Sequence, residues 1–167
     1  EFRYITNDPL PRRHFLYKEI IKAIRRAKKQ IYITTPYFVP TRHLAHTLRI
    51  AAHRGVDIKI IIPESSDYPL LDLGARTFFD SFLKSGMKIY LYRGQMLHSK
   101  TLVIDDDWAS VGTLNIDSIS LLYNFEANLV TDNREFTREL TSHFIDDISR
   151  AYQVTHQEWK RRYWLEK

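Results

Sequence analysis

A chain of 167 residues, 44% of them hydrophobic, is long enough to bury one core and too apolar to default to disorder. It contains no cysteine, which excludes a disulfide scaffold and thiolate chemistry. No apolar run approaches the roughly 20 residues that cross a bilayer, and the opening EFRYITNDPLPRRHF lacks the apolar segment of a signal peptide. A net charge of +5 favours acidic partners, nucleic acid or an anionic lipid surface, without choosing between them.

From Phe15 to Lys29 the sequence FLYKEIIKAIRRAKK sets Leu16, Ile20, Ile24 and Ala27 at helical spacing, and predicts an amphipathic helix. QIYITTPYF, rich in β-branched and aromatic residues and halted by Pro40, predicts a strand. Leu44 to His53 has a helical pattern that closes at Gly55. VDIKIIIP is the next strand; Leu70 to Lys84 is a helix ended by Gly86, and MKIYLY is a further strand. This alternation implies an α/β sandwich with helices on both faces of a mixed, largely parallel sheet. Beyond Gly94, His98 to Ile104 and Trp108 to Val111 read as strands joined by an Asp105-Asp106-Asp107 turn. A loop from Gly112 to Asn124 leads to the strand FEANLVT. A long helix follows from Phe136 to Tyr152, with Leu140, Phe144, Ile148 and Ala151 on one face, and then a helical tail, HQEWKRRYWLEK. No repeat, low-complexity linker or second domain interrupts residues 1–167.

The stretch HSKTLVIDDDWASVGTLN asks for more than packing. Alternate residues of a strand share a face, so His98 and Lys100 project together. An imidazole beside an ammonium suits an anionic group such as phosphate, and the like charge favours the neutral, nucleophilic imidazole. The Thr113 hydroxyl and Asn115 amide follow Gly112, where a backbone can approach a ligand closely, and both can contact phosphate oxygens. Glu126, on the next strand, can accept a bond from the far imidazole nitrogen and set its tautomer. The set comprises a nucleophile, a positioner and an anion clamp.

The pattern His98-x-Lys100-x4-Asp105-x6-Gly112-Thr113-x-Asn115 resembles the HKD motif of the phospholipase D superfamily. ITTPYFVP, RGVDIKIIIPESSDYPL, MLHSKTLVIDDDWASVGTLNID and NFEANLV resemble the C-terminal half of bacterial cardiolipin synthases. The resemblance implies a phospholipase D-like α/β/α sandwich and a site built from two HKD halves around one phosphodiester. One histidine attacks phosphorus to form a phosphohistidine, and the other protonates the leaving alcohol. A second alcohol, the head group of phosphatidylglycerol, then displaces the histidine, with no metal or organic cofactor. His98 would fill one of these roles, the acid–base one for a C-terminal copy. Lys100, Thr113 and Asn115 would hold phosphate oxygens, and Asp105 would orient and balance the basic cluster. The resemblance also implies a bacterial cytoplasmic membrane enzyme, attached through parts of a longer chain.

Two positions depart from the family pattern. Thr113 stands where serine is usual and keeps the hydroxyl, whereas Ile119 stands where an arginine is frequent, which bears on head-group choice. The H-x-K pair occurs once, so the second half would come from the same longer polypeptide or from a homodimer mate. The alternative reading is a single-motif phosphodiesterase whose homodimer cuts nucleic acid, to which the same basic charge would be suited. His14, His43, His46, His53, His143 and His156 read as surface or helix histidines. The basic helix face (Lys18, Lys22, Arg25, Arg26, Lys29) is a solvated surface or a contact for lipid or nucleic acid. Tyr37 and Phe38 line a substrate groove or pack in the core. Trp159, Tyr163 and Trp164 suit a membrane interface or cover an apolar patch.

Overall fold

The computed structural model describes residues 1–10, 14–94 and 97–165, with residues 162–165 described by backbone alone. Its elements, in chain order, are β1 (Phe2–Asn7), α1 (Phe15–Arg26), β2 (Gln30–Thr34), β3 (Phe38–Val39), α2 (Arg42–His53), β4 (Asp57–Pro63), α3 (Pro69–Lys84) and β5 (Lys88–Tyr92). There follow β6 (Thr101–Ile104), β7 (Trp108–Gly112), β8 (Ile116–Asp117), α4 (Ser118–Leu122), β9 (Glu126–Thr131), α5 (Arg134–Ser149), β10 (Ala151–Val154) and α6 (His156–Leu165). Among the described residues, no helix is long and apolar enough to cross a membrane.

One eight-stranded sheet, in the order β1-β9-β7-β6-β2-β4-β5-β10, carries the fold. The period of two in its central strands divides the core cleanly. Ile31 and Ile33 of β2, Ile58, Ile60 and Ile62 of β4, and Ile89 of β5 face α1, α2 and α3, meeting Leu16, Ile20, Ile24, Leu44, Leu48, Phe79 and Phe82. Tyr32, Ile61, Tyr90, Tyr92 and Val103 face the other way, where α5 covers them through Phe144, with Leu140 and Ile148 at its margin. Tyr32 and Phe144 stack at 4.6 Å. Each fully buried Ile or Leu contributes roughly 1.5–3 kcal/mol, so these two layers hold the sheet.

The α/β sandwich with helices on both faces is as expected, but the sheet is less parallel than the alternation implied. Only β2–β4 and β4–β5 are parallel, while β2–β6, β6–β7, β7–β9, β1–β9 and β5–β10 are antiparallel. The helical crossovers α2 and α3 produce the parallel centre; the 105–107 turn makes β6 and β7 an antiparallel hairpin, and the other antiparallel pairs join strands that no tight turn connects. The sheet's two edge strands were not anticipated. From the sequence no strand is expected before Phe15, and the long helix continues from Phe136 to Tyr152. Instead α5 stops at Ser149 and Ala151–Val154 pairs with β5. The predicted 112–124 loop contains β8 and α4, and QIYITTPYF breaks after Thr34 into β2 and β3. β3 and β8 pair in parallel as a small second sheet.

Candidate active site

The parallel strands β2, β4 and β5 end together, and the chain segments leaving them frame a cleft of about 460 Å³. His98, Leu97, Pro36, Pro63, Glu64 and Arg93 are among its walls. A site at the carboxyl ends of parallel strands is where α/β sheets generally bind ligands, because there the connecting loops diverge. His98 is exposed, and no hydrogen bond to its ring is formed among the described residues. His98 and Lys100 precede β6 rather than belonging to it, since that strand starts at Thr101. Their shared strand face is therefore not supplied by the ladder. A local bond joins them instead: Lys100 Nζ donates to the His98 carbonyl at 2.7 Å.

Lys100 is the anchored member of the pair. Its carbonyl accepts from the Gly112 N–H at 3.3 Å, which ties the start of β6 to the end of β7. Burial lowers its ammonium pKa, and the Glu126 carboxylate opposes that shift in part. Glu126 is itself buried, 8% exposed, at the head of β9. It accepts the Thr113 hydroxyl in a short bond, while the same threonine oxygen accepts from the Ala127 N–H at 3.0 Å. Threonine thus keeps the hydroxyl chemistry that serine would supply, and uses it to hold Glu126. The tautomer-setting bond from Glu126 to His98 is not among the contacts made here.

Asn115 shows a different signature. Its Nδ2 donates to Ser120 Oγ at a long 3.4 Å, and its Oδ1 is buried without a partner, the one such side-chain atom among the described residues. An unpaired buried acceptor costs about 1–3 kcal/mol, and such groups concentrate where a ligand completes them. Gly112 lets this segment lie against β9. A Cβ there would meet the Ala127 carbonyl at 2.3 Å and Asn128 Cα at 2.6 Å.

Two candidates lie elsewhere. Asp105 sits at the opposite end of β6, about 16 Å along the strand from Lys100 at ~3.3 Å per residue. Its carboxylate accepts the backbone N–H groups of Lys28 (3.0 Å), Lys29 (2.7 Å) and Gln30 (3.0 Å), fastening the α1–β2 turn. Its φ of 51° is a left-handed conformation that aspartate tolerates better than most residues. The spacing of the motif places it as a staple of the sheet, not beside His98. Phe38 is 2% exposed and packs on Phe82 at 5.7 Å, so it belongs to the core. Tyr37, in contrast, is half-buried and donates to Asp67 Oδ1 at 2.7 Å. Burial, followed by that carboxylate, pushes its phenol pKa upward.

The other histidines, the basic face and the tail aromatics are placed as follows. His43 bonds Tyr17 and Arg25, His53 the Arg49 carbonyl and His156 Asp80, while His46 and His143 are exposed. Lys18, Lys22, Arg25 and Arg26 are exposed on α1, and Lys29 is exposed in the turn that follows it. Trp159 packs on Phe79 with ring centroids 4.8 Å apart and the planes tilted; the Tyr163 and Trp164 side chains lie outside the described residues. Sequence reasoning missed the cleft residues Glu64, Asp67 and Arg93. The signal was the polar turn ESSD directly after Pro63, once β4 is recognised as a parallel strand whose carboxyl end must face a site.

Residues 20–148 match the family model described as cardiolipin synthase, PLD-like domain. Cardiolipin synthase A of Proteus mirabilis is 40% identical over 147 residues, covering 88% of this chain and 30% of that protein. Cardiolipin synthase A of Yersinia pseudotuberculosis is 38% identical over the same shares. The chain therefore spans about 30% of the length of the curated relatives it matches. Among solved structures, the phospholipase D family member Nuc of Salmonella typhimurium superposes with a TM-score of 0.76 at 20% identity, over 93% of this chain and 99% of that one. Phosphatidylserine synthase of Haemophilus influenzae gives 0.74 at 18% identity, over 94% and 41%. At these identities the structural likeness concerns the fold alone.

Proposed function

The chain belongs to the family of cardiolipin synthase, phospholipase D-like domains, and from that premise we propose that it supplies one HKD half of a phosphatidyltransferase site within a longer polypeptide. The observation that carries the reading is the chain of contacts from an exposed His98 on a cleft wall to Lys100, whose ammonium is coupled to Glu126, which Thr113 holds. In this reading a phosphatidylglycerol phosphodiester lies between His98 and the histidine of the second half. One imidazole attacks phosphorus, forming a P–N bond as the glycerol P–O bond breaks, while the other donates a proton to the departing glycerol. The second imidazole then takes the proton of an incoming alcohol, whose oxygen attacks phosphorus as the P–N bond breaks and releases the first histidine. Two phosphatidylglycerols yield cardiolipin and glycerol, and no electrons or external groups are needed. Lys100 meets the charge that grows on the non-bridging oxygens, with Asn115 completing the phosphate contact. Glu126 balances Lys100 and is positioned by Thr113.

An anionic bilayer is the surface on which this chemistry would take place. Ile119, Tyr123 and Phe125 are 56%, 69% and 78% exposed on α4 and the turn leading to Glu126. An apolar edge beside a phosphate site, on a chain of net charge +5, suits the headgroup region of such a membrane. Where arginine is frequent in the family, Ile119 adds to that edge.

The test is lipid mass spectrometry on phosphatidylglycerol bilayers incubated with the parent polypeptide or its His98→Ala variant. Cardiolipin and free glycerol are expected from the first and neither from the second, because a methyl group can neither attack nor transfer a proton. Cardiolipin formation by the variant would refute the role of His98. Its absence from both would direct attention to another phosphodiester, nucleic acid first.

A further inference from the structure

The cleft beside His98 carries charge of the wrong sign for a phosphate. Glu64 and Asp67 contribute two carboxylates to its wall, and the one arginine among its described lining residues, Arg93, is committed to Glu64, with contacts of 3.0 Å from Nε and 2.9 Å from the terminal nitrogen. Lys100 is not among the residues lining this space. His98 thus stands between a cationic side, suited to the phosphodiester, and an anionic side rich in hydrogen-bond acceptors. The volume of about 460 Å³ falls within the roughly 300–1,000 Å³ usual for small-ligand sites. Its acceptors are also pre-set. Tyr37 fixes Asp67 through its hydroxyl and is itself braced edge-on by Tyr68 at 5.5 Å. Ser66 is held at the same turn by Asp72, to which its hydroxyl donates at 2.7 Å and its N–H at 2.9 Å.

Resting on the transferase reading, we propose that this cleft binds the hydroxyl-bearing head of the acceptor alcohol, a neutral polyol, with Asp67 and Glu64 accepting its hydroxyl protons. Hydroxyl groups bonded to a carboxylate form charge-assisted hydrogen bonds, the strong class, and a fixed carboxylate selects a molecule with more than one hydroxyl over water. The cleft then decides how the phosphohistidine partitions. A bound polyol is held next to phosphorus, whereas water has no such foothold.

The experiment uses the parent polypeptide, bis(p-nitrophenyl) phosphate as donor and glycerol as acceptor. The P–O bond to nitrophenolate breaks as the P–N bond to histidine forms; glycerol or water then takes the phosphoryl group, and mass spectrometry measures the ratio of glycerol ester to hydrolysis product. Asp67→Asn is expected to lower that ratio roughly tenfold, the effect of losing one charged hydrogen bond, and Glu64→Gln to lower it less. A ratio unchanged within twofold in both variants and in their combination would overturn the cleft assignment. Nitrophenolate release by the wild type that is lost in His98→Ala would meanwhile leave the transferase reading standing. Absence of release from the wild type would refute both. Loss of all release in Asp67→Asn would move Asp67 into the donor step and overturn its acceptor role. A preference for ethanolamine over glycerol, with the same sensitivity to Asp67→Asn, would assign the cleft to a cationic head and overturn the polyol assignment.

Discussion

Gly112→Ala tests how the motif is built, because the added methyl meets backbone rather than yielding side chain. Ordinary carbon contacts begin near 3.4 Å, whereas this Cβ would lie 2.3 Å from the Ala127 carbonyl oxygen and 2.6 Å from Asn128 Cα. Relief requires β7 and β9 to part by about 1 Å where Gly112 pairs with Asn128. Overpacking of this kind costs about 1–3 kcal/mol, which in a domain of this size lowers Tm by about 2–4 °C per kcal/mol, so by roughly 2–12 °C in all. The same shift disturbs the Gly112 N–H bond to the Lys100 carbonyl and the Thr113 contact with Glu126. A displacement of about 1 Å in a positioned group can cost about 100-fold in rate. Thermal unfolding and phosphodiester turnover at 20 °C, measured on the parent polypeptide, read the two effects separately. A Tm within about 1 °C of wild type and turnover within twofold would refute the account of Gly112 as the point of close approach.

Lys100→Ala is expected to slow transfer by about 10²–10³-fold, the loss seen when one donor to a developing oxyanion is removed; a loss below tenfold would count against the clamp. Burial holds the Lys100 pKa below its ordinary 10.5, so its charge, and turnover with it, is lost at lower pH than for an exposed lysine. Over the window between the lowered value and 10.5 the unfolded chain binds more protons, and stability rises with pH while activity falls. Paired pH profiles of unfolding and turnover check the opposite signs; parallel falls would refute the assignment. Asp105→Ala strands three backbone N–H groups at the α1–β2 turn and is expected to cost about 2 kcal/mol, with kcat/KM at 20 °C changing less than tenfold. A larger loss of kcat/KM with little change in Tm would return Asp105 to the chemistry. Replacing both Tyr123 and Phe125 by serine should weaken sedimentation with phosphatidylglycerol vesicles, while leaving Tm nearly unchanged, because both rings are exposed. Undiminished sedimentation would remove the turn between α4 and β9 from the membrane face.

Much of this molecule was legible in the amino-acid order, because local periodicity and short-range chemistry are written there. The stripe Leu16, Ile20, Ile24 predicted α1, the run VDIKIIIP predicted β4, and the spacing from His98 to Asn115 marked the motif. What the order of residues could not decide was pairing. β1 and β10 are edge strands whose identity depends on β9 and β5, more than a hundred and about sixty residues away in sequence, and no local pattern records such a partner. The same limit governed the site. Phe38 and Tyr37 are neighbours in the chain, yet one turns into the core against Phe82 and the other reaches Asp67. Asp105, an inseparable letter of the motif, fastens the far end of a strand. Glu64, Asp67 and Arg93 became cleft residues only when three parallel strands ended side by side. Sequence determines which residues carry chemistry; tertiary structure decides which of them meet, since strand pairing and face are set by contacts distant along the chain.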